Sequence, residues 1–272
     1  MARDSTRPER FEGHEYPQVI PEPDEIRAGS PAPWANLGAG ERQGFTIDLV
    51  RQRLFDTGRT FDVAAWPVQF AEMTSVADDA ERRVEHRSAV LVALFEQDGE
   101  VQVILTRRAR NLSSHRGEIA LPGGRSDHEE TPVATALREA REEVGLDPSL
   151  VTPLGWLSPI VTFASSSAIW PVVGTLEHRP ELTIDPGEVE RVFTIALRDL
   201  VADGVFLEER WRRGGTRPGA DRDGFFPIYF YRVPYDVIWG ATARVLTELL
   251  CVVTGVKWPD AERVSGEGRP VD

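Results

Sequence analysis

The spacing of hydrophobic and polar positions changes several times along the chain, and its most regular part predicts β-structure. Apolar runs cover residues 89–95 and 101–106, and between them lie Gln97, Asp98 and Gly99. Two β-type runs joined by a short turn that contains Asp-Gly are typical of a hairpin. Similar runs predict further strands at residues 151–157, 169–173, 189–195, 206–211 and 226–233.

Apolar residues at helical spacing predict helices before, between and after these strands. An amphipathic helix is predicted at residues 45–54, with a candidate partner at 61–73, and a short helix at 196–201. Residues 239–256 are almost continuously apolar and predict a long buried helix. Elements in this order pack naturally as a mixed sheet flanked by helices, so the predicted fold class is α/β.

The predicted elements divide the chain into one domain and three flanking segments. Residues 1–43 are rich in proline and charge and predict a flexible extension. Residues 44–86 predict a short helical extension, residues 87–258 the main domain, and residues 259–272 a C-terminal tail.

The overall charge, the length of the apolar runs and the single cysteine limit the binding partners and the cellular location that the sequence predicts. A net charge of −13 argues against general nucleic-acid binding, because that affinity comes from neutralising many phosphates. No apolar run reaches the length of a membrane span, and residues 1–10 lack the apolar stretch of a secretory signal. With Cys251 alone an intrachain disulfide is excluded, and a cytoplasmic location is expected. The sequence leaves homodimer formation open.

One predicted helix, between Thr131 and Gly145, has clear signals at both ends and two distinct faces. Thr131 suits the N-cap, Pro132 suits the first helical position, and Gly145 suits the C-terminal stop. Its apolar stripe consists of Val133, Leu137, Ala140 and Val144. Another face carries the carboxylates of Glu139, Glu142 and Glu143, and Arg138 is spaced to pair with Glu142.

A glutamate cluster on a helix is usually a solvated face, and here a metal site is the alternative. Carboxylates this close repel one another unless a cation lies among them. Hard divalent cations bind oxygen ligands of this kind. The preceding Pro122, Gly123 and Gly124 also form a loop whose backbone can approach a ligand closely.

The whole segment resembles the Nudix box, in which glutamates, an arginine and glycines recur at fixed offsets. The matching positions are Gly124, Glu130, Arg138, Glu139, Ala140, Glu142, Glu143, Gly145 and Leu146. The resemblance implies a Nudix-type α/β/α sandwich with a mixed sheet. It also implies hydrolysis of a nucleoside diphosphate that is linked to another moiety.

The resemblance further implies a role for each residue of the box. The implied ligands of Mg²⁺ or Mn²⁺ are Glu139 and Glu143, with Glu142 and the carbonyl of Gly123 as further ligands. Arg138 is implied to orient the carboxylates rather than to contact substrate. The general base stays open between Glu139 and Glu188.

Residues upstream of the box resemble the signature of coenzyme A pyrophosphatases. The matching positions are Thr106, Arg108, Ala109, Gly117, Pro122, Gly123 and Gly124. Two positions depart: Ser113 replaces an arginine and Leu121 a phenylalanine. The change at 113 removes a cation for a substrate phosphate, and Arg110 and Arg116 are candidates to replace it.

The predicted substrate is therefore coenzyme A or an acyl derivative, cleaved to adenosine 3′,5′-bisphosphate and 4′-phosphopantetheine. The predicted substrate-binding residues are Arg108, Arg110, Arg116 and Gly117. Two alternatives stay open: a different nucleoside diphosphate derivative, such as ADP-ribose, a nucleotide sugar or a dinucleotide, or a binding module of the same fold without catalysis.

Overall fold

The chain folds into two sheets and four α-helices in the part that the structure describes. The computed structural model describes residues 18–61, 86–127, 130–162, 167–214, 220–234 and 236–258. The strands are β1 (Glu25–Ala28), β2 (His86–Gln97), β3 (Glu100–Arg108), β4 (Ile119–Ala120), β5 (Gly123–Arg125), β6 (Thr152–Trp156), β7 (Ile160–Thr162), β8 (Ser167–Thr175), β9 (Val189–Ala196), β10 (Phe206–Arg212), β11 (Phe226–Val233) and β12 (Asp236–Trp239). The helices are α1 (Ile47–Asp56), α2 (Pro132–Val144), α3 (Leu197–Leu200) and α4 (Gly240–Thr254).

The first sheet is mixed and has eight strands. Its central order is β4-β3-β2-β8-β6, with β5 also paired to β2, β7 to β8 and β9 to β3. Strands β2 and β8 run parallel over the whole length of β8, whereas the other pairs of this sheet are antiparallel. The predicted mixed sheet is therefore confirmed.

The predicted hairpin connects β2 and β3 through a two-residue turn. Gln97 pairs with Glu100, so only Asp98 and Gly99 lie between the strands. Both turn residues have positive φ, 53° for Asp98 and 76° for Gly99. This combination suits the right-handed twist of the flanking strands, and Asp-Gly is among the residue pairs that adopt it most readily.

Helices cover both faces of the first sheet. On one face, Ala140 and Val144 of α2 pack with Leu91 and Phe95 of β2. On the other face, α1 and α4 join a larger core that includes Leu94 of β2. This layering agrees with the predicted α/β/α sandwich. Within the described residues, no helix is both long enough and apolar enough to cross a lipid bilayer.

The second sheet has the strand order β1-β10-β11-β12 and draws its strands from both ends of the described chain. The strands predicted at residues 206–211 and 226–233 are β10 and β11, which pair antiparallel in this sheet. Strand β1, however, lies in the segment predicted to be a flexible extension, and it pairs antiparallel with β10.

In its described part, residues 18–43, this segment differs from the predicted loose extension. Trp34 is 1% exposed and packs between Phe206 and Tyr231. A proline-rich sequence predicts flexibility, but the fixed φ of proline also suits ordered extended and turn backbone. The candidate helix at 61–73 lies outside the described residues beyond Phe61, and so does the predicted tail.

Candidate metal and diphosphate site

Helix α2 begins and ends where the sequence predicts. The Thr131 hydroxyl accepts a hydrogen bond from the Ala134 N–H at 3.2 Å, and Pro132 occupies the first helical position. The helix ends at Gly145, whose φ of 67° is left-handed. Both ends satisfy backbone groups that a helix leaves unpaired, so α2 has a defined start against the sheet.

The faces of α2 separate the three glutamates. Ala140 and Val144 are fully buried, while Val133 and Leu137 of the predicted stripe are partly buried. The side chain of Glu143 is 3% exposed and that of Glu139 is 13% exposed, whereas that of Glu142 is 58% exposed. Glu139 and Glu143 therefore turn inward, and Glu142 lies at the protein surface.

Strand β5 brings backbone close to these carboxylates. Gly123 pairs with Val90, and its N–H donates to Glu143 Oε2 at 3.1 Å. A Cβ at Gly123 would lie 2.3 Å from the carbonyl oxygen of Ala89, so no side chain fits there without moving β2. A Cβ at Gly124 would lie 2.5 Å from Glu139 Oε2. The two glycines thus let the chain approach both glutamates.

Arg138 connects four groups on the outer side of the site. Its Nε and Nη2 donate to the two oxygens of Glu130, at 2.9 and 3.0 Å. Its Nη1 donates to Glu139 Oε1 and Glu142 Oε2, both at 2.9 Å, and its Nη2 donates to the carbonyl of Arg125. These contacts confirm the predicted Arg138–Glu142 pair. They also lower the pKa of Glu130 to about 2.

The two inward glutamates resist ionisation. Burial raises the pKa of Glu143 to about 7, against the opposing effects of the Gly123 N–H and of Arg108. Burial also raises the pKa of Glu139, against the ion pair with Arg138. The exposed Glu188 adds to both shifts by repulsion, which places its charge within electrostatic range of the pair.

The donor set suits a hard divalent cation in its chemistry. Glu139 and Glu143 contribute carboxylate oxygens one helical turn apart, and a bound cation would relieve their mutual repulsion. No group of three His, Cys, Asp or Glu side chains among the described residues is close enough to hold an ion as it stands. The third glutamate, Glu142, lies at the surface and accepts a hydrogen bond from Arg138.

The loop between β3 and β4 carries the predicted substrate-binding residues, and their surroundings differ. Arg108 Nη1 lies 3.5 Å from Glu143 Oε1, so this arginine faces the glutamates. Arg110 instead donates to both oxygens of Glu190, at 3.0 and 2.7 Å. Arg116 is exposed, while Gly117 is buried and left-handed, with φ 70°. Of the predicted cations, the structure brings only Arg108 into contact with the glutamate pair.

Sequence reasoning missed two acidic residues beside this loop. Glu190 lies at a β-bulge, because Arg107 pairs with Arg191 whereas Arg108 pairs with Val189. Such bulges redirect side chains and are frequent next to active sites. Asp236 of β12 is the second residue, 2% exposed, and accepts hydrogen bonds from Arg107 and Arg191.

The bulge leaves no sequence signal, because it depends on the register between two strands. Asp236 does leave a signal. It is the one charged residue in the otherwise apolar and aromatic run 233–239, where a buried carboxylate needs a partner.

Comparisons with known proteins identify the family of the chain. The NUDIX domain family matches residues 85–213. The chain is 38% identical over 177 residues to the mitochondrial Nudix hydrolase 15 of Arabidopsis thaliana, covering 63% of this chain and 60% of that protein. It is 39% identical to the chloroplastic Nudix hydrolase 22 of the same plant, covering 61% of this chain and 55% of that protein.

A third relative is matched over most of its length. The chain is 34% identical over 184 residues to the mouse (Mus musculus) peroxisomal coenzyme A diphosphatase NUDT7, covering 64% of this chain and 75% of that protein. The residues of the box, the fold and these matches agree. The chain belongs to the Nudix hydrolase family.

Proposed function

We propose that this protein hydrolyses the diphosphate bond of a nucleoside diphosphate derivative, with Mg²⁺ or Mn²⁺ bound at α2. The observation that carries the proposal is the inward pair Glu139 and Glu143. Both are desolvated, and both lie against the backbone of Gly123 and Gly124. Burying two carboxylates so close together is unfavourable for stability alone, which favours a cation as their natural partner.

Each residue of the site has a proposed task. Glu139 and Glu143 hold the ion, with the Gly123 carbonyl and Glu142 as further ligands. Arg138 orients Glu139 through its Nη1 while Glu130 fixes the guanidinium from the other side. A divalent ion held there neutralises the diphosphate and acidifies a bound water.

The general base is proposed to be Glu139 or Glu188. Burial raises the pKa of Glu139, and a raised pKa makes a carboxylate a stronger base. Glu188 is exposed and precedes the buried Val189, so its carboxylate is accessible from solvent at the edge of the site. Its charge acts on both inward glutamates.

Coenzyme A is the proposed substrate. The upstream signature supports it, and so does the mouse relative whose name is coenzyme A diphosphatase. Arg108 faces the glutamates and its side chain is 25% exposed, so it is the proposed ligand of the diphosphate. Arg116 and Gly117, in the loop that follows β3, are proposed to contribute to substrate binding as well.

Two observations favour a different nucleoside diphosphate derivative as the second candidate. Ser113 lacks the cation that the coenzyme A signature has at this position. Arg110, one of its possible replacements, forms a two-point ion pair with Glu190. ADP-ribose, nucleotide sugars and dinucleotides are the compounds to compare.

The extent of the catalytic unit is also a proposal. We assign it to residues 87–258, with the described part of the N-terminal segment packed onto it. A cytoplasmic location and a homodimer remain predictions; the Arabidopsis and mouse relatives carry the names of three organelles.

The function is tested by chromatographic analysis of products. Purified protein with Mg²⁺, and separately with Mn²⁺, is given coenzyme A, ADP-ribose, NADH and a dinucleoside polyphosphate in parallel. Preferential release of adenosine 3′,5′-bisphosphate from coenzyme A is the expected result. Faster cleavage of another compound moves the specificity to the second candidate. No cleavage of any compound contradicts the hydrolase assignment and leaves a binding module.

A further inference from the structure

We propose that His115, paired with Glu118, is a phosphate-binding residue of the loop that follows β3. The inference rests on the proposed function and adds the group that binds a phosphate of the nucleotide substrate. It gives the loop a cation that the serine at position 113 does not supply.

The loop is closed at its base by the chain itself. The Gly117 N–H donates to the carbonyl of Arg108 at 3.1 Å, and the Arg108 N–H donates to the carbonyl of Glu118 at 3.0 Å. Because Arg108 also contacts Glu143, the base of the loop lies at the proposed site. His115 therefore belongs to a short segment anchored beside the two inward glutamates.

The backbone at His115 is unusual for a residue with a side chain. Its φ is 56°, in the left-handed region, which few residues other than glycine adopt. Residues in this conformation are more frequent at functional sites, where the surrounding structure maintains the strain. The conformation is stabilised here by the Glu118 N–H, which donates to the carbonyl of His115 at 3.2 Å.

The imidazole is paired through Nδ1 and its side chain is half exposed. Nδ1 lies 3.0 Å from Glu118 Oε2, and the side chain is 52% exposed. The hydrogen bond to Glu118 raises the pKa of His115, while burial and the charge of Arg108 lower it. With Nδ1 engaged by a carboxylate, Nε2 is left to donate to an anion.

The neighbouring groups favour an anionic ligand. Arg108 is a cation and Glu118 a carboxylate whose charges act on His115, Arg116 is the next residue in the chain, and Arg107 Nη2 approaches the neighbouring Gly117. The side chain of Arg108 is 25% exposed, so part of its guanidinium can also donate to a phosphate oxygen. Arg110 is held by Glu190 on the adjoining strand, which leaves the histidine as the better placed replacement.

The inference is tested by NMR titration of the full-length protein without metal. The imidazole signal of His115 is assigned by its loss in His115→Asn, since asparagine tolerates left-handed backbone. Adenosine 3′,5′-bisphosphate is the probe. We expect the pKa of His115 to rise by about 0.5 to 1 unit when the probe binds, because the phosphate stabilises the imidazolium. An unchanged pKa on binding overturns the inference.

Affinity for the same probe, measured by calorimetry, provides the second readout. His115→Asn is expected to weaken binding roughly tenfold at pH 6 and much less at pH 9, where the wild-type imidazole is neutral. Glu118→Gln is expected to move this pH dependence to lower pH. The control is His178→Asn, which alters an exposed histidine outside the loop.

Equal affinity of wild type and His115→Asn at both pH values overturns the inference, and so does a wild type that does not bind the probe. The product analysis above tests hydrolysis independently, since the titration requires no turnover.

Discussion

Glu143 combines a buried position with a charge that the proposed chemistry needs. Its side chain is 3% exposed, its Oε2 accepts from the Gly123 N–H, and Arg108 lies 3.5 Å from its other oxygen. Glutamine has nearly the same size and shape as glutamate but carries no charge. Replacing Glu139 or Glu143 by glutamine therefore changes the charge of the site without changing its packing.

Replacing either inward glutamate should remove activity without removing the fold. Glu139→Gln and Glu143→Gln are each expected to lower kcat roughly a hundredfold or more, because metal polarisation contributes several kcal/mol to catalysis. Thermal unfolding should be unimpaired, since the change relieves repulsion. The control is Glu177→Gln on the surface. Either variant failing to fold would show that its face of α2 has been misassigned.

The raised pKa of Glu143 predicts a pH-dependent stability of the metal-free protein. Its pKa rises from 4.5 to about 7 on folding, so ionisation disfavours the folded state increasingly between those pH values. With EDTA present, Glu143→Gln should be more stable than wild type at pH 8, by at most about 3 kcal/mol. The gain should vanish near pH 4.5. Urea denaturation at several pH values measures it, and a gain that is independent of pH would contradict the assignment.

Much of the site at the residue scale could be predicted from the sequence, because fixed offsets on one helix determine which residues are neighbours. The Arg138–Glu142 pair is such a case. The split between Glu142 and Glu143 was not predicted, since burial depends on where β5 approaches the helix. The pairing of Arg110 with Glu190 was also missed, because it joins residues of two strands across a bulge.

At the scale of elements, the three-residue strand β5 has a direct effect on the site. Its two glycines meet different neighbours: Gly123 faces the backbone of Ala89, and Gly124 faces the carboxylate of Glu139. The same added methyl group is therefore expected to have different consequences at adjacent positions.

Gly123→Ala should destabilise the protein and Gly124→Ala should mainly impair activity. The first places Cβ 2.3 Å from backbone that cannot move independently, for a cost of roughly 2 to 4 kcal/mol. The second meets the end of a flexible side chain, so it should cost less than about 1 kcal/mol. It should nevertheless displace Glu139 and lower kcat. Chemical denaturation measures the stability of both variants, and steady-state kinetics measures their kcat. An equal loss of stability in the two variants would contradict the prediction.

Long elements and the short helix α3 were predictable, whereas the shortest strands were not. Asp98 and Gly99 predicted the turn between β2 and β3, and the capping residues Thr131 and Gly145 predicted the two ends of α2. By contrast, β4 has two residues and β5 three, too few for any alternation of apolar and polar positions to appear. These short strands exist because longer neighbours offer them hydrogen-bond partners.

At the scale of the whole molecule, both sheets belong to one core. Trp34 from the N-terminal segment, Tyr231 of β11 and Leu246 of α4 lie in the same cluster as Leu94 of the first sheet. The family match ends at residue 213, yet Asp236 beyond it holds Arg107 at the end of β3. The second sheet therefore supports the loop that precedes the box.

A single change in the N-terminal segment should consequently destabilise the entire domain. Trp34→Ala is expected to cost about 3 to 5 kcal/mol, as for other large buried aromatic residues. Urea unfolding monitored by circular dichroism should remain one cooperative transition at lower denaturant concentration. Val19→Ala, at a position 64% exposed, is the control and should change stability by less than about 0.5 kcal/mol. A separate early transition would show that the segment folds independently.

The pairing of Glu25 with Arg212 has a consequence for the order of events during synthesis. When β1 leaves the ribosome, its partner strand has not yet been translated, and at 5–20 residues per second the wait is on the order of ten seconds or more. The first sheet, whose strands β2 to β9 emerge in between, can be assembled before β1 has anywhere to bind. The N-terminal strand can thus be added to a nascent protein in which Glu139 and Glu143 have already been translated.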